Sequence, residues 1–412
     1  MTRSSFSRFI HASFLAILIS WLIPAVLSAE EAPVSDPITL TFSAHDASSP
    51  IRVDHGTWSQ FLSKTVVYAG YSTERLGRGK KRRWIDSKFE YGNDQPSRYE
   101  NNRVAIGNFT KDHHAAVRVY RRFLQGVPET VPLSALTREE QLAYWLNLYN
   151  ARVMELVTAH YPAETTKELR SEPGKDPAGV WHEKSLTVDG VALSLRDIET
   201  KILFPIWDDP LVMYGLWQGA IGGPSLPLRA YSAASVWDRL RENAVEFINS
   251  NRGMRPKGRT LRVSLMYGWA SDLFDGDDDI RRHIENYAEL PFSEGLEKTS
   301  KLKRNLYDWH LADLSGGAHH RGQWNNNAAF IAGLNGDPQF VNALANIALS
   351  TDTTRRTISP LTQELLVKMR EFNDQTRTPV ITVEDCPADG CIKPDLRDDD
   401  DNATVEENDR PN

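Results

Sequence analysis

The chain has 412 residues, of which 25% are charged and 40% hydrophobic, and its 55 acidic against 48 basic residues give a formal net charge of −7. That balance argues against nucleic-acid binding, which usually needs a basic surface. Both cysteines, Cys386 and Cys391, lie near the C-terminus, so a thiol nucleophile in the body of the chain is excluded.

Residues 1–29 read as a secretory signal peptide. Arg3 and Arg8 form a positive start, Phe14 to Leu27 an apolar core, and Ser28-Ala29 a small-residue cleavage site. The apolar run falls short of the roughly 20 residues a spanning helix needs, and no later stretch supplies one. The mature chain, at −9 once the two leader arginines are gone, is therefore expected to be periplasmic or secreted, with no transmembrane span. Residues 30–56 read as an extended N-terminal segment with one short alternating run, 38–42 (ITLTF), of strand type. Residues 57–375 read as a single domain, opening with a helix over 57–67 capped by Thr57. The run 75–83 carries Arg75, Arg78, Lys80, Lys81, Arg82 and Arg83. It reads as a solvated loop, with weak contact to an anionic surface as the alternative.

A helix is predicted over 111–126, ending at Gly126; its adjacent His113 and His114 diverge by about 100° and cannot chelate together. The strongest helix follows at 137–160. Thr137 and Glu140 have capping-box spacing. Leu142, Trp145, Leu146, Tyr149, Val153, Leu156 and Val157 recur at helical intervals, and Pro162 closes the run. Apolar residues also fill much of the opposite face, so the helix is expected to be central and buried. Asn147 and Asn150 sit one turn apart beside the apolar stripe, where an unbonded amide costs roughly 1–3 kcal/mol; both need partners.

Residues 164–180 read as a charged surface loop. In 185–195, Asp189-Gly190 is the preferred two-residue turn of a hairpin. Ser194 then caps a helix expected to stop at Pro205, with Asp197 and Glu199 in its first turn. Residues 211–217 form an apolar run of strand length, followed by a glycine- and proline-rich break and a helix over 232–250. Residues 259–265 read as a strand. Asp275, Asp277 and Asp279 imitate a calcium loop, but Ile280 and Asn286 occupy the positions that need glycine and glutamate, so an acidic helix start explains them better. A further helix is expected over 293–304, and two more near 336–349 and 360–374. His310, His319 and His320 lack metal-motif spacing. The tail, 376–412, is acidic and expected to be disordered, and its Cys386–Cys391 pair is most simply a disulfide in an exported chain. Asn108 and Asn402 lie in N-x-T sequons. The predicted fold class is α+β: a helix-rich domain around one central buried helix, with a small, mostly antiparallel sheet.

Standard catalytic signatures are absent: there is no GxSxG, GxGxxG or P-loop, and no metal or cofactor is implied. The segments EEQLAYWLNLYNARV, LSLRDIETKIL, YGLWQGAIGGPSLPLRAYS and YDWHL, in that order, resemble the domain-of-unknown-function family numbered 547, over roughly residues 110–312. The resemblance implies a histidine, a cysteine and a Gly-Cys-Pro turn at positions here held by Met213, Gln218 and Gly223, and hence a scaffold without the family's reactive groups. Asn147, Asn150, Glu199, Gln218, Gly222, Gly223 and Arg229 could then line one cleft, the glycines allowing close backbone approach. Each has a plainer role as well: the asparagines bonding loop backbone, Glu199 pairing with Arg229. Glu199 is the expected catalytic group if there is one, since burial can shift a carboxyl toward neutrality. The expected function is that of an uncharacterised exported protein, a non-thiol ligand-binding or scaffold domain. The alternatives are a hydrolase or transferase using Glu199, or an interaction protein using the basic loop and acidic tail.

Overall fold

The computed structural model describes residues 36–70, 84–85, 88–89, 95–98, 100–170, 179–314, 316 and 391–392. The leader, the basic run 75–83, Cys386, the helices expected near 336–349 and 360–374, His319, His320, Asn402 and the acidic tail lie outside them, except that Cys391 and Ile392 of the tail pair parallel with Arg52 and Val53 instead of being disordered. Four short helical or extended pieces precede the core: helices α1 (Pro37–Phe42) and α2 (Gly56–Thr65), and the strand pairs 66–67 with 103–104 and 84–85 with 88–89. Helix α3 (Lys111–Thr130) then leads into α4 (Arg138–Ala159), the predicted central helix. Every residue of α4 from Glu140 to Ala151 is buried. Thr137 accepts the Glu140 amide at 3.3 Å, and the His160 ring caps the Leu156 carbonyl at the far end.

The capping box is only half formed. The Glu140 carboxylate turns away from the helix end and accepts the Val53 amide at 2.7 Å, tying residues 52–53 to α4. Burial pushes its pKa up to about 7, against the lowering effect of the Val53 amide and Arg52. In the unfolded chain the same carboxyl titrates near 4.5, so between these values the folded state holds the extra proton and stability falls as pH rises. A shift of that size corresponds to up to about 3 kcal/mol lost between pH 4.5 and 8. Glu140→Gln should flatten this part of the stability–pH curve in urea unfolding, and identical slopes in the two proteins would show that Glu140 is ionised in the fold.

Helix α3 does not stop at Gly126 but runs on through Pro128. Proline has no amide to give the carbonyl four residues back, and that carbonyl, Leu124, accepts the Tyr144 hydroxyl at 2.7 Å. A side chain from α4 thus replaces the missing bond, and it also welds the two helices together. Residues 38–42 are helical rather than extended: Asp36 accepts the Ile38 amide and Pro37 occupies the first turn, both helix-start signals that outweigh five residues of alternation. The cap of α2 is His55, not Thr57. Loop 164–180 is not simply surface either, since Leu169 and the Arg170 side chain are buried.

The hairpin forms as predicted, β1 (Leu186–Val188) against β2 (Val191–Leu193), with Asp189 and Gly190 at positive φ. Ser194 and Asp197 form a reciprocal capping box at the start of α5 (Leu195–Asp197). The helix then widens: over Ile198–Leu203 it is a π-turn in which the Phe204 amide bonds the Glu199 carbonyl. It tightens again into α6 (Phe204–Trp207), so Pro205 does not end it. Pro205 falls in the first turn of that last segment, where a missing amide costs least, and Asp208 at positive φ makes the stop. The apolar run 211–217 is not a strand; Pro210–Gly215 is a 3₁₀ turn started by Asp209, whose carboxylate accepts the Leu211 amide. An uninterrupted apolar run cannot distinguish a buried strand from a buried helical turn.

Helix α7 (Val236–Ile248) packs so closely on this turn that a Cβ on Gly215 would lie 2.7 Å from Leu146 and 2.8 Å from Leu240. After it come strands β3 (Met254–Lys257) and β4 (Thr260–Ser264), helices α8 (Met266–Trp269) and α9 (Gly276–Tyr287), and strand β5 (Lys301–Leu306). The expected helix over 293–304 is replaced by the short turn Leu296–Lys298 and by β5, which pairs parallel to β4; pairing overrides the local helical pattern. Strand β4 pairs antiparallel with β3, completing a three-stranded sheet. The fold class is α+β as predicted, helix-rich with small, mostly antiparallel sheets, and no helix among the described residues is long and apolar enough to cross a membrane.

Candidate functional site

Both asparagines of α4 bond backbone. Asn147 donates to the Tyr231 carbonyl at 2.8 Å and accepts its amide at 3.0 Å. Asn150 does the same for a tighter bend, donating to Gly215 and accepting from Trp217, each at 3.0 Å. Each amide thus satisfies a buried donor and a buried acceptor that the irregular chain over 215–231 would otherwise leave open. Neither asparagine bonds Glu199.

Glu199, carried by the π-turn, is buried and bonded from three sides. Its Oε1 accepts the Tyr149 hydroxyl at 2.6 Å, Arg170 at 3.0 Å and the Trp181 indole at 3.3 Å. Its Oε2 accepts Arg170 at 3.0 Å and Arg196 at 2.9 Å. Burial alone would raise its pKa, but Arg170, Arg196 and the hydrogen bonds outweigh it and hold the carboxyl at about 2. That shift is opposite to the one expected from burial by itself. The expected Arg229 partner is not used: Arg229 is half-buried and bonds none of the described residues, while Arg170 and Arg196 take its place.

Arg170 is the hub. Besides Glu199 it donates to the Gln218 side-chain oxygen, and its guanidinium lies 4.1 Å from the Trp269 ring centre and 5.4 Å from that of Trp181. Gln218 in turn donates to the Tyr149 hydroxyl at 3.0 Å. Sequence reading placed Arg170 in a surface loop and Tyr149 in an apolar stripe. The signal it passed over is that a buried tyrosine hydroxyl needs a partner.

The glycine turn 219–223 lies against the segment 307–312. Ile221 and Gly222 donate to the carbonyls of His310 and Asp308, and the Ala312 amide donates to Gly219. A Cβ on Gly222 would stand 2.4 Å from the Asp308 amide nitrogen, and one on Gly223 would stand 3.0 Å from the Gln218 side chain. From the other side Asn101 donates to the carbonyls of Ala220, Ile221 and Gly223, and Arg252, paired with Glu246, donates to Gly223. The close approach that the glycines permit is therefore used by the protein's own chain. Met213 is fully buried nearby in sequence, in the 3₁₀ turn.

Beside the charge cluster stand three half-buried aromatic residues. Trp269, Tyr307 and Trp309 have ring centres 4.5 to 5.8 Å apart, and the Tyr307 hydroxyl has no bonding partner among the described residues. A separate cavity of about 240 Å³ opens between Pro210 and α9, lined by Asp279, Arg282, His283, Glu285 and Asn286. Burial pulls the His283 pKa down to about 4, and its ring bonds the Tyr214 hydroxyl at 2.9 Å. Asp279 and Asn286, from the segment that imitates a calcium loop, line that cavity, but none of Asn147, Asn150, Glu199, Gln218, Gly222, Gly223 and Arg229 does.

Compared with curated proteins and with solved structures, the chain matches none. Residues 133–248, which hold α4, the hairpin, the π-turn with Glu199, the glycine turn and α7, match the model of the family described as Protein of unknown function, DUF547, and over that segment, shorter than the 110–312 read from the sequence, the chain resembles this family.

Proposed function

We propose that the chain is an exported, non-thiol ligand-binding or scaffold domain, in which the Glu199 cluster organises the fold instead of turning over a substrate. The observation that carries this reading is the carboxylate of Glu199, already bonded by Tyr149, Trp181, Arg170 and Arg196 and held at about 2. General acid–base work calls for a pKa close to the operating pH, and a carboxyl so held carries no proton at neutrality. Binding is supported by the half-buried aromatic trio of Trp269, Tyr307 and Trp309, which offers ring surface beside the charge cluster. Pockets that hold small ligands are built in this way, mostly ring surface with a few polar groups fixing orientation. Export is supported by Arg3, Arg8 and the apolar stretch that follows.

Screening the chain against peptides, esters and glycosides, beside Glu199→Gln with its fold checked by circular dichroism, tests the reading. No turnover is expected from either protein. Activity in the wild type that disappears in the folded variant would establish the hydrolase or transferase alternative. Recovery of the chain from the cytosol with its leader intact would remove the export half.

A further inference from the structure

The sheet β3–β4–β5 has two unlike faces. Met254, Leu261 and Val263 are fully buried on the inner one. The alternate positions, Arg255 and Lys257 on β3, Thr260 and Arg262 on β4, Lys301 and Lys303 on β5, point the other way, with Lys257, Lys301 and Lys303 exposed. Five of these six residues are basic.

The pairing register sets the cations side by side. Lys303 stands opposite Arg262, and Arg262 opposite Arg255, so one complete row across the three strands is positive. The next row is Lys301, Thr260 and Lys257. Like charges directly opposite on neighbouring strands are destabilising, and the charge of Glu100 counters this at Arg255. Among the described residues none of the five forms an ion pair; Arg262 bonds the Asn305 side chain and Arg255 the Asn251 carbonyl. Burial and the neighbouring Arg262 charge pull Arg255 below the usual arginine range, against the raising effect of Glu100. The chain as a whole is acidic, so five basic residues among six positions of one face do not reflect composition.

We propose that this face docks on an anionic phospholipid surface. The cations occupy two rows on three strands, a patch about 10 Å across and about 7 Å along the strands. That is a flat array suited to a plane of headgroups. A single-stranded nucleic acid also needs rings on which its bases stack, and none of the six positions is aromatic. Clusters of four to eight lysines and arginines are the usual determinant of binding to acidic lipid, each contributing roughly fivefold near the surface.

Flotation of the full chain with phosphatidylcholine vesicles containing 30% phosphatidylglycerol tests the proposal, beside pure phosphatidylcholine vesicles and the variant Lys257→Glu/Lys301→Glu/Lys303→Glu. All three replaced side chains are exposed and Lys303→Glu sets a carboxylate opposite Arg262, so the melting temperature should not fall; the apolar leader is common to both proteins and cancels in the comparison. Wild type should float with the acidic vesicles and not with the neutral ones, and raising salt to about 0.5 M should release it. The triple variant should bind about 100-fold more weakly. Equal binding by wild type and variant would overturn the proposal, as would failure to bind the acidic vesicles. So would loss of binding on neutralising residues 75–83 with the sheet intact. Tighter binding to single-stranded RNA or polyglutamate than to the vesicles, at the same salt, would assign the face to a soluble polyanion instead.

Discussion

Arg170→Met should lower stability by about 3–5 kcal/mol, the cost of leaving a buried charge without its partner, and depress the melting temperature by roughly 5–7 °C. The guanidinium bonds both oxygens of Glu199 and the oxygen of Gln218 while lying against Trp269. Arg196 is the remaining cation, but it is a third exposed and reaches one oxygen only, so it compensates in part. The pH dependence carries a second signature. With a folded value of about 2 against 4.5 in the unfolded chain, Glu199 contributes stability that is complete above pH 4.5 and fades as pH falls toward 2. Without Arg170 burial dominates, the folded value rises, and acid unfolding should begin at higher pH. Because the damage comes from the orphaned carboxylate, adding Glu199→Gln should recover at least half the loss, as neutralising both members of a buried pair usually costs less than removing one. A loss below about 1 kcal/mol for Arg170→Met, with acid unfolding unchanged, would falsify the view that this pair is a buried structural tie.

The parts of this fold that could be read in the sequence are those fixed by local chemistry. The periodic apolar face of α4, the Asp189-Gly190 turn and the Ser194–Asp197 cap each depend on residues within a few positions of one another, and each is present. The misread parts depend on distant partners. Pro128 fails to stop α3 because Tyr144, from another helix, takes over the orphaned carbonyl. Residues 301–306 are extended because β4 is there to pair with them. The same division runs through the site. Asn147 and Asn150 were identifiable as groups in need of partners, since amides beside an apolar stripe must be satisfied, but that the partners are Tyr231, Gly215 and Trp217 follows only from tertiary packing. Arg170 could not be found in this way. A single arginine in a charged loop reads as solvated, and only the fold carries it under Trp269 to Glu199.

Gly222→Ala should cost about 3 kcal/mol, the upper end of the range for forcing an extra methyl into a packed interior. Its φ is not positive, so alanine is conformationally acceptable, and the cost comes only from space. The new Cβ would lie 2.4 Å from the amide nitrogen and 2.9 Å from the carbonyl oxygen of Asp308, backbone atoms that cannot swing aside like a side-chain end. Relief requires the turn to part from 307–312, which stretches the bonds from Gly222 to Asp308 and from Ile221 to His310, 2.8 and 2.9 Å long. Gly126→Ala is the internal comparison: it lies within α3 with nothing inside 4 Å of its Cβ position and should stabilise by about 0.5–1 kcal/mol. Chemical unfolding of both variants separates the two uses a glycine turn can have. If the turn exists to close on the protein's own chain, Gly222→Ala loses stability in proportion to the clash. If instead it is held open for a ligand, the alanine leaves unfolding unchanged and weakens binding alone, and the closure against 307–312 is dispensable.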